Sequence, residues 1–433
     1  MISLQRYWAK LLGTLLFVGA LFGTADAHAV YKFCTDIHYT FEDDGFGEDY
    51  LLPGGTIRAA NHWMVIKYNN NVLWSGYADS SGCGAALSSG AGNYVVETYP
   101  QIQVGSSLIN IFPTTVGSWV HVWYQFNNLP SSTHPSVTYK VAQVGSGIAG
   151  EDIFNVSAAL TRLTQPESGF DFGLRVGSYN ILASQQCPGA ISCFSPGASA
   201  SGDVLYLGYD SDLWGWDHKS KYIIGHEMGH FVQHRLFGSP SGQTSYCHNV
   251  PTGGNNLCRC DHVLSPADTF CTNVPVNQVH CFQSRENLTA ALGEGFGHFF
   301  ATTLFNNPTG ADARFVYYKH FKRADLQVVA PPVWHDPMLM FRWMENYCGA
   351  QMAGLGTEMD WMGFLYRVRS TSSTPYTYTD LESVFEHSQV CSGTCNSSDT
   401  VTWAKLQAAA VALYPLAKEN HFINNGDSYG VNH

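Results

Sequence analysis

Charge is what this sequence has least of. Asp, Glu, Lys and Arg make up 13% of its 433 residues, about half the share of an ordinary soluble domain. Hydrophobic residues make up 45%, and that pairing excludes a disordered chain. Basic residues are scarcest: 22 Lys and Arg stand against 34 Asp and Glu, for a formal net charge of −12. No basic run breaks the pattern, so a nucleic-acid partner is excluded as an expectation. No internal repeat is present. Beyond the N-terminus no apolar stretch is long enough to span a bilayer. No membrane span is expected once a signal is removed.

The N-terminus carries a processing signal. Arg6 and Lys10 precede the apolar run from Leu11 to Phe22, followed by the small-x-small site Ala25-Asp26-Ala27. Residues 1–27 are expected to be a secretory signal peptide cut after Ala27. The apolar run is short for a transmembrane anchor. The expected location is secreted, periplasmic or at the cell surface. Twelve cysteines, an even number in an exported chain, point to disulfides. Cys34 and Cys83 stand alone in the N-terminal third and are expected to pair. Cys187 with Cys193, and Cys391 with Cys395, can close local loops. Cys247, Cys258, Cys260, Cys271 and Cys281 crowd one segment, and one of these five reaches elsewhere, with Cys348 an available partner. In Cys258-Arg259-Cys260-Asp261-His262, disulfides fit an oxidising compartment better than a second zinc site.

Residues 28–148 read as all-β. Trp63 to Tyr68 and Val72 to Trp74 flank Asn69-Asn70-Asn71, a hairpin signal. Tyr94 to Tyr99 and Trp119 to Tyr124 are further strands, and short strands with Gly, Asn and Ser between them predict a β-sandwich. The run Asp79-Ser80-Ser81-Gly82-Cys83 with Gly92-Asn93-Tyr94-Val95 resembles prealbumin-like sandwich modules. Glu42-Asp43-Asp44 with Glu48 and Asp49 reads as a solvated acidic loop. Ser, Pro and Gly between 130 and 150 mark a boundary. A zinc-site subdomain is placed at 149–310, with a disulfide-rich insertion at 239–284, and a helical subdomain at 311–433. In the last, helices are expected over 312–323, 337–348, 358–369, 380–387 and 401–416. The polar tail from Asn420 to His433 reads as loose. The fold class expected is α+β: an N-terminal β-sandwich, then a small sheet with a metal helix, then a mainly helical C-terminal half.

The chemistry is concentrated in Gly225-His226-Glu227-Met228-Gly229-His230. Residues four apart share a helix face, so His226 and His230 can present two imidazoles to one zinc ion. Glu227 is turned beside that ion, where a general base belongs. Asp217 or Ser220 can start the helix, and Gly238 and Pro240 follow its end. Short strands before it, around 175–180 and 204–207, could offer an edge to an extended peptide.

A second helix begins near Glu286. Leu288, Leu292, Phe296, Phe299 and Phe300 form its apolar stripe. Ala291, Glu294, Gly297, His298 and Ala301 form another face, lined by small residues. Such a face can approach a neighbouring helix closely and deliver Glu294 to the histidines. His234 and His298 are the other candidates for a third ligand. His234 lies about 12 Å along the helix axis from His226, at ~1.5 Å per residue, too far for both to reach one ion with His230.

The pair of motifs, His226-Glu227-x-x-His230 and Gly293-Glu294-Gly295-Phe296-Gly297-His298, resembles the gluzincin metallopeptidases over roughly residues 205 to 305. The resemblance implies zinc held by His226, His230 and Glu294, with Glu227 as base. It implies hydrolysis of a peptide or protein substrate by a zinc-activated water. It also implies an oxyanion donor after the second helix, for which His298, Tyr317, Tyr318 and His320 are eligible. The metzincin pattern is disfavoured, because Gln233 and Leu236 stand where it has Gly and His. Gly297 replaces the small Ala common in the second motif. The alternative is a non-catalytic, disulfide-rich exported binding protein with a structural or vestigial zinc site.

Overall fold

The computed structural model describes residues 30–39, 55–88, 90–112, 121–129, 137–143, 156–164, 178–182, 193–199, 202–207, 221–237, 286–305, 355–370, 374–388 and 402–431. Over these residues the architecture is mixed α and β. Strand β1 (Val30–Tyr39) buries Tyr31, Phe33, Thr35, Ile37 and Tyr39, the alternation of a strand with one face in a core. β2 (Gly55–Arg58) pairs antiparallel with its second half. β3 (His62–Tyr68) and β4 (Asn71–Tyr77) form the expected hairpin. Asn69 and Asn70 close it with φ of 46° and 68°, and two successive left-handed residues give the turn whose twist matches its strands. β5 (Leu87–Ser88) pairs with the start of β1.

β6 (Gly92–Val104) turns through Gly105, φ 57°, into β7 (Ser107–Phe112). β8 (Val122–Leu129) runs antiparallel to β6, and β9 (Val137–Gln143) runs parallel to β1. Tyr31 and Phe33 of β1 share a core with Met64 and Ile66 of β3, Tyr94 and Val96 of β6, and Leu129 of β8. Two sheets therefore face each other across one apolar layer. Cys34 and Cys83 are disulfide-bonded, as their isolation in sequence implies. Asp79 builds the turn that presents Cys83: its Oδ1 accepts from the N–H groups of Ser81 (2.8 Å) and Cys83 (3.0 Å). Gly82, at φ 71°, permits the reversal.

The sheet continues past the Ser/Pro/Gly-rich stretch. β6 is long enough for two neighbours on one side: β8 along its first half, and β7 against Gln101–Val104. Helix α1 spans 156–161. β7 then pairs parallel with β10 (Ser178–Leu182). β11 (Cys193–Ser199) and β12 (Gly202–Tyr206) complete the sheet. Its order is β11-β12-β10-β7-β6-β3-β4, with β12 parallel to β10 and β11 antiparallel at the edge. The hydrogen-bond ladder thus runs unbroken from residues before position 148 to strands beyond it.

Helix α2 (Lys221–Phe237) follows. β13 (Glu286–Asn287) leads into α3 (Leu288–Phe305), and β14 (Leu355–Gly356) leads into α4 (Glu358–Ser370). Glu286 and Asn287 are strand-paired to β14, so α3 starts two residues later than its composition suggests. α5 (Tyr378–Ser388), α6 (Trp403–Leu413) and α7 (Leu416–Tyr429) complete the chain. The tail is thus helical to Tyr429, against the expectation of a loose end. Phe422, Gly426 and Tyr429 share one buried face, Gly426 admits the Trp403 ring, and Gly430 caps the helix at φ 65°.

One core runs from Ile109 and Ile111 of β7 through Leu160 of α1 to Phe231, Phe296 and Trp361 of α2, α3 and α4. No described helix is long and apolar enough to cross a membrane. The signal segment 1–27, the acidic run 42–49, the cysteine-dense segment 239–284 and the expected helices at 312–323 and 337–348 lie outside the described residues.

Candidate metal centre

Two helices meet here with almost no side chain between them. Packed helix axes usually lie about 8–10 Å apart, held off by side chains. A Cβ on Gly225 would sit 3.0 Å from Cα of Ala301, and one on Gly229 would sit 2.8 Å from Cα of Gly297. On α3, a Cβ on Gly297 would come within 3.0 Å of Cε1 and Nδ1 of His226. Glycine at i and i+4 of α2 faces the small-residue face of α3. The contact is closest where the metal-motif residues are.

That approach brings three donor atoms together. Glu294 Oε2 is 3.2 Å from His226 Nε2 and 3.1 Å from His230 Nε2, and the two imidazole nitrogens are 3.0 Å apart. The set forms the metal-ligand-like cluster found among the described residues. Tetrahedral zinc with bonds of ~2.0–2.1 Å holds its ligand atoms about 3.3 Å from one another, so this triangle has the size such an ion requires. Residue exposure is 8% for His226 and 5% for Glu294. A carboxylate with two imidazoles aimed at one oxygen, largely out of water, is a donor set that a divalent cation would neutralise.

Glu227, buried at 8% exposure, follows His226 and is rotated about 100° around α2. His234 lies on the same continuous helix, two turns past His226, and its side chain falls outside the described residues. Tyr317, Tyr318 and His320 also fall outside them.

His298 is placed beside the cluster but is engaged elsewhere. Its Nε2 is 2.8 Å from Glu358 Oε2, and its Nδ1 is hydrogen-bonded to the Tyr222 hydroxyl. An ionised carboxylate can only accept, so Nε2–H donates to Glu358, and Nδ1 pairs with the Tyr222 hydroxyl. In this arrangement both ring nitrogens of His298 have partners within the protein. Tyr222 and Glu358 were not legible as site residues. Tyr222 does lie one turn before His226 on the line that carries His226 and His230, and that spacing was the available signal. Glu358, far along the sequence, gave none.

No protein-family model and no curated protein matches the sequence.

Proposed function

We propose that the protein is an exported zinc-dependent metallopeptidase of gluzincin type, hydrolysing peptide bonds with His226, His230 and Glu294 as ligands and Glu227 as general base. The carrying observation is the convergence of Nε2 of His226, Nε2 of His230 and Oε2 of Glu294 within 3.0–3.2 Å of one another. Three protein ligands, with one position left for water or substrate, distinguish catalytic from closed structural zinc sites. A structural site would also have no use for a buried Glu227.

When bound, zinc supplies Lewis acidity that polarises a carbonyl and acidifies water. Glu227 takes a proton from the attacking water and passes it to the leaving amine. The glycine contact between α2 and α3 fixes the ligands on rigid helices, where ligand geometry is better held than on loops.

Substrate placement has support in the sheet. Among the described strands β11 lies at one end of the sheet, against α2. An extended peptide added to that edge would use main-chain hydrogen bonds and run close to the metal helix. The zincin-like arrangement proposed for the fold consists of this sheet, α2 and α3.

The test is metal analysis with proteolysis of a denatured protein. The purified chain is expected to hold about one zinc per molecule, to lose hydrolysis on chelation and to regain it with Zn²⁺. A chain that cleaves equally well after complete metal removal would overturn the reading.

A further inference from the structure

We propose that Glu358 and Tyr222 are positioning residues for the metal centre, acting through His298 to hold the His226 imidazole in its ligating orientation. This rests on His226, His230 and Glu294 being metal ligands.

Three rings, those of Tyr222, His226 and His298, pack on one another at one corner of the ligand triangle. The centroids of His226 and His298 are 4.5 Å apart, and the Tyr222 ring lies 5.7 Å from each in a near-parallel setting. His226 is therefore flanked by Tyr222, by His298 and by the bare backbone of Gly297. His298 is fixed at both nitrogens, by Tyr222 and by Glu358. It cannot turn without breaking two hydrogen bonds in a dry environment. Exposure is 2% for Tyr222, 6% for His298 and 0% for Glu358. In such surroundings a charge-assisted bond is strong and its loss is costly.

The position of Glu358 is built from several directions. The β13–β14 ladder pairs Glu286 with Gly356 and Asn287 with Leu355, setting the starts of α3 and α4 side by side. Thr357 then caps α4, its Oγ1 accepting from the Asp360 N–H at 3.2 Å. Glu358, next in the chain, enters the first turn, where a negative charge is favoured. A Cβ on Gly295 would lie 2.5 Å from Cβ of Trp361 and 2.7 Å from the carbonyl oxygen of Glu358. Gly295 and Gly297 are two residues apart, so they occupy nearly opposite sides of α3. One side admits α2 and His226, and the other admits α4 and Glu358. His298 joins the two.

The experiment uses the full chain, stripped of metal and titrated with Zn²⁺ or Co²⁺ alone. Glu358→Ala is expected to weaken Zn²⁺ binding up to about 10-fold, the low end of the effect of removing a direct partner of a metal ligand, because Glu358 acts on His226 only through His298. It should also shift the visible absorption of the Co²⁺ form. Glu358→Gln, whose amide oxygen still accepts from Nε2–H, should recover part of the affinity and the parent spectrum. Tyr222→Phe should weaken binding about 2–10-fold, the scale of one hydrogen bond. A purely structural role for Glu358 would lower thermal stability but leave the cobalt spectrum of the folded variant unchanged. That result, with parental Zn²⁺ affinity in Tyr222→Phe, overturns the proposal. If Glu358→Ala does not fold, Tyr222→Phe decides alone. A parent chain that binds neither ion overturns the ligand assignment itself, a distinct result from a metal-binding parent with indifferent variants.

Discussion

Gly229 of α2 and Gly297 of α3 meet backbone to backbone, with 2.8 Å between a Cβ built on the first and Cα of the second. This contact sets how far Glu294 can reach toward His226 and His230. On an exposed helix, Gly→Ala gains up to ~1 kcal/mol from helix propensity. At this contact the added methyl must push two helix backbones apart, an overpacking cost of about 1–3 kcal/mol. Gly229→Ala is therefore expected to destabilise the protein and to weaken Zn²⁺ binding together. Urea unfolding and chelator competition measure the two effects. A more stable variant with parental metal affinity would refute the close contact.

Glu227 tests the chemistry apart from the ligands. Glu227→Gln keeps shape and burial but cannot take a proton. Zinc content should remain near that of the parent while turnover falls about 10²–10⁴-fold, the usual contribution of a general base. Near-parental hydrolysis in that variant would remove Glu227 from the mechanism.

The third ligand separates two zinc architectures. Glu294 Oε2 lies 3.1–3.2 Å from both imidazole nitrogens. His234 is eight residues beyond His226 on one helix, about 12 Å along its axis. Glu294→Ala should strip most of the metal, whereas His234→Ala should leave it bound, as read by metal content after dialysis. The reverse pattern would keep a zinc protein but end the gluzincin assignment.

The local features were the legible ones. Alternating burial along β1, the Asn69-Asn70 turn and the i, i+4 spacing of His226 and His230 are each fixed by residues close in sequence. The pairing of Cys34 with Cys83 followed from their isolation. Glu294 could be singled out because a carboxylate among Gly and Ala on an apolar helix needs a reason to be there. What escaped depends on distant contacts. The β7–β10 pairing joins residues on either side of a boundary that composition alone suggested. The tail becomes a helix because Gly426 lets Trp403 in, a tertiary contact invisible in a polar segment. Glu358 reaches His298 only through the ordered starts of α3 and α4.

The Cys34–Cys83 bond closes a loop with a sequence separation of 49. Chain-entropy arguments give such a loop about 4 kcal/mol of stabilisation. Cys34→Ser with Cys83→Ser is expected to lower the urea midpoint accordingly. Because β1 and β3 share a core, the sandwich should melt first. Hydrogen exchange that found α2 and α3 opening before β1 and β3 would contradict that order.

His62 carries the clearest pH dependence. It opens β3, is fully buried, and joins the sheet to α1. Its Nδ1–H donates to the Ala60 carbonyl at 3.0 Å, which leaves Nε2 to accept from the Ser157 hydroxyl at 2.5 Å. Burial pushes its pKa down from 6.5 to about 4, against the smaller raising effects of the backbone carbonyls of Ala60 and Ala59. Protonation would place a charge in the core and abolish the acceptor for Ser157. Between the two pKa values the unfolded chain binds a proton that the folded chain refuses, so stability rises with pH there. The contribution of His62 is complete above about pH 6.5 and is lost as pH falls toward 4. A shift of this size corresponds to roughly 3 kcal/mol. His62→Gln, which cannot titrate, should flatten the slope of unfolding free energy against pH across that window by about one proton. Urea titrations at several pH values read that slope directly. An identical slope in parent and variant would show that His62 is not the group responsible.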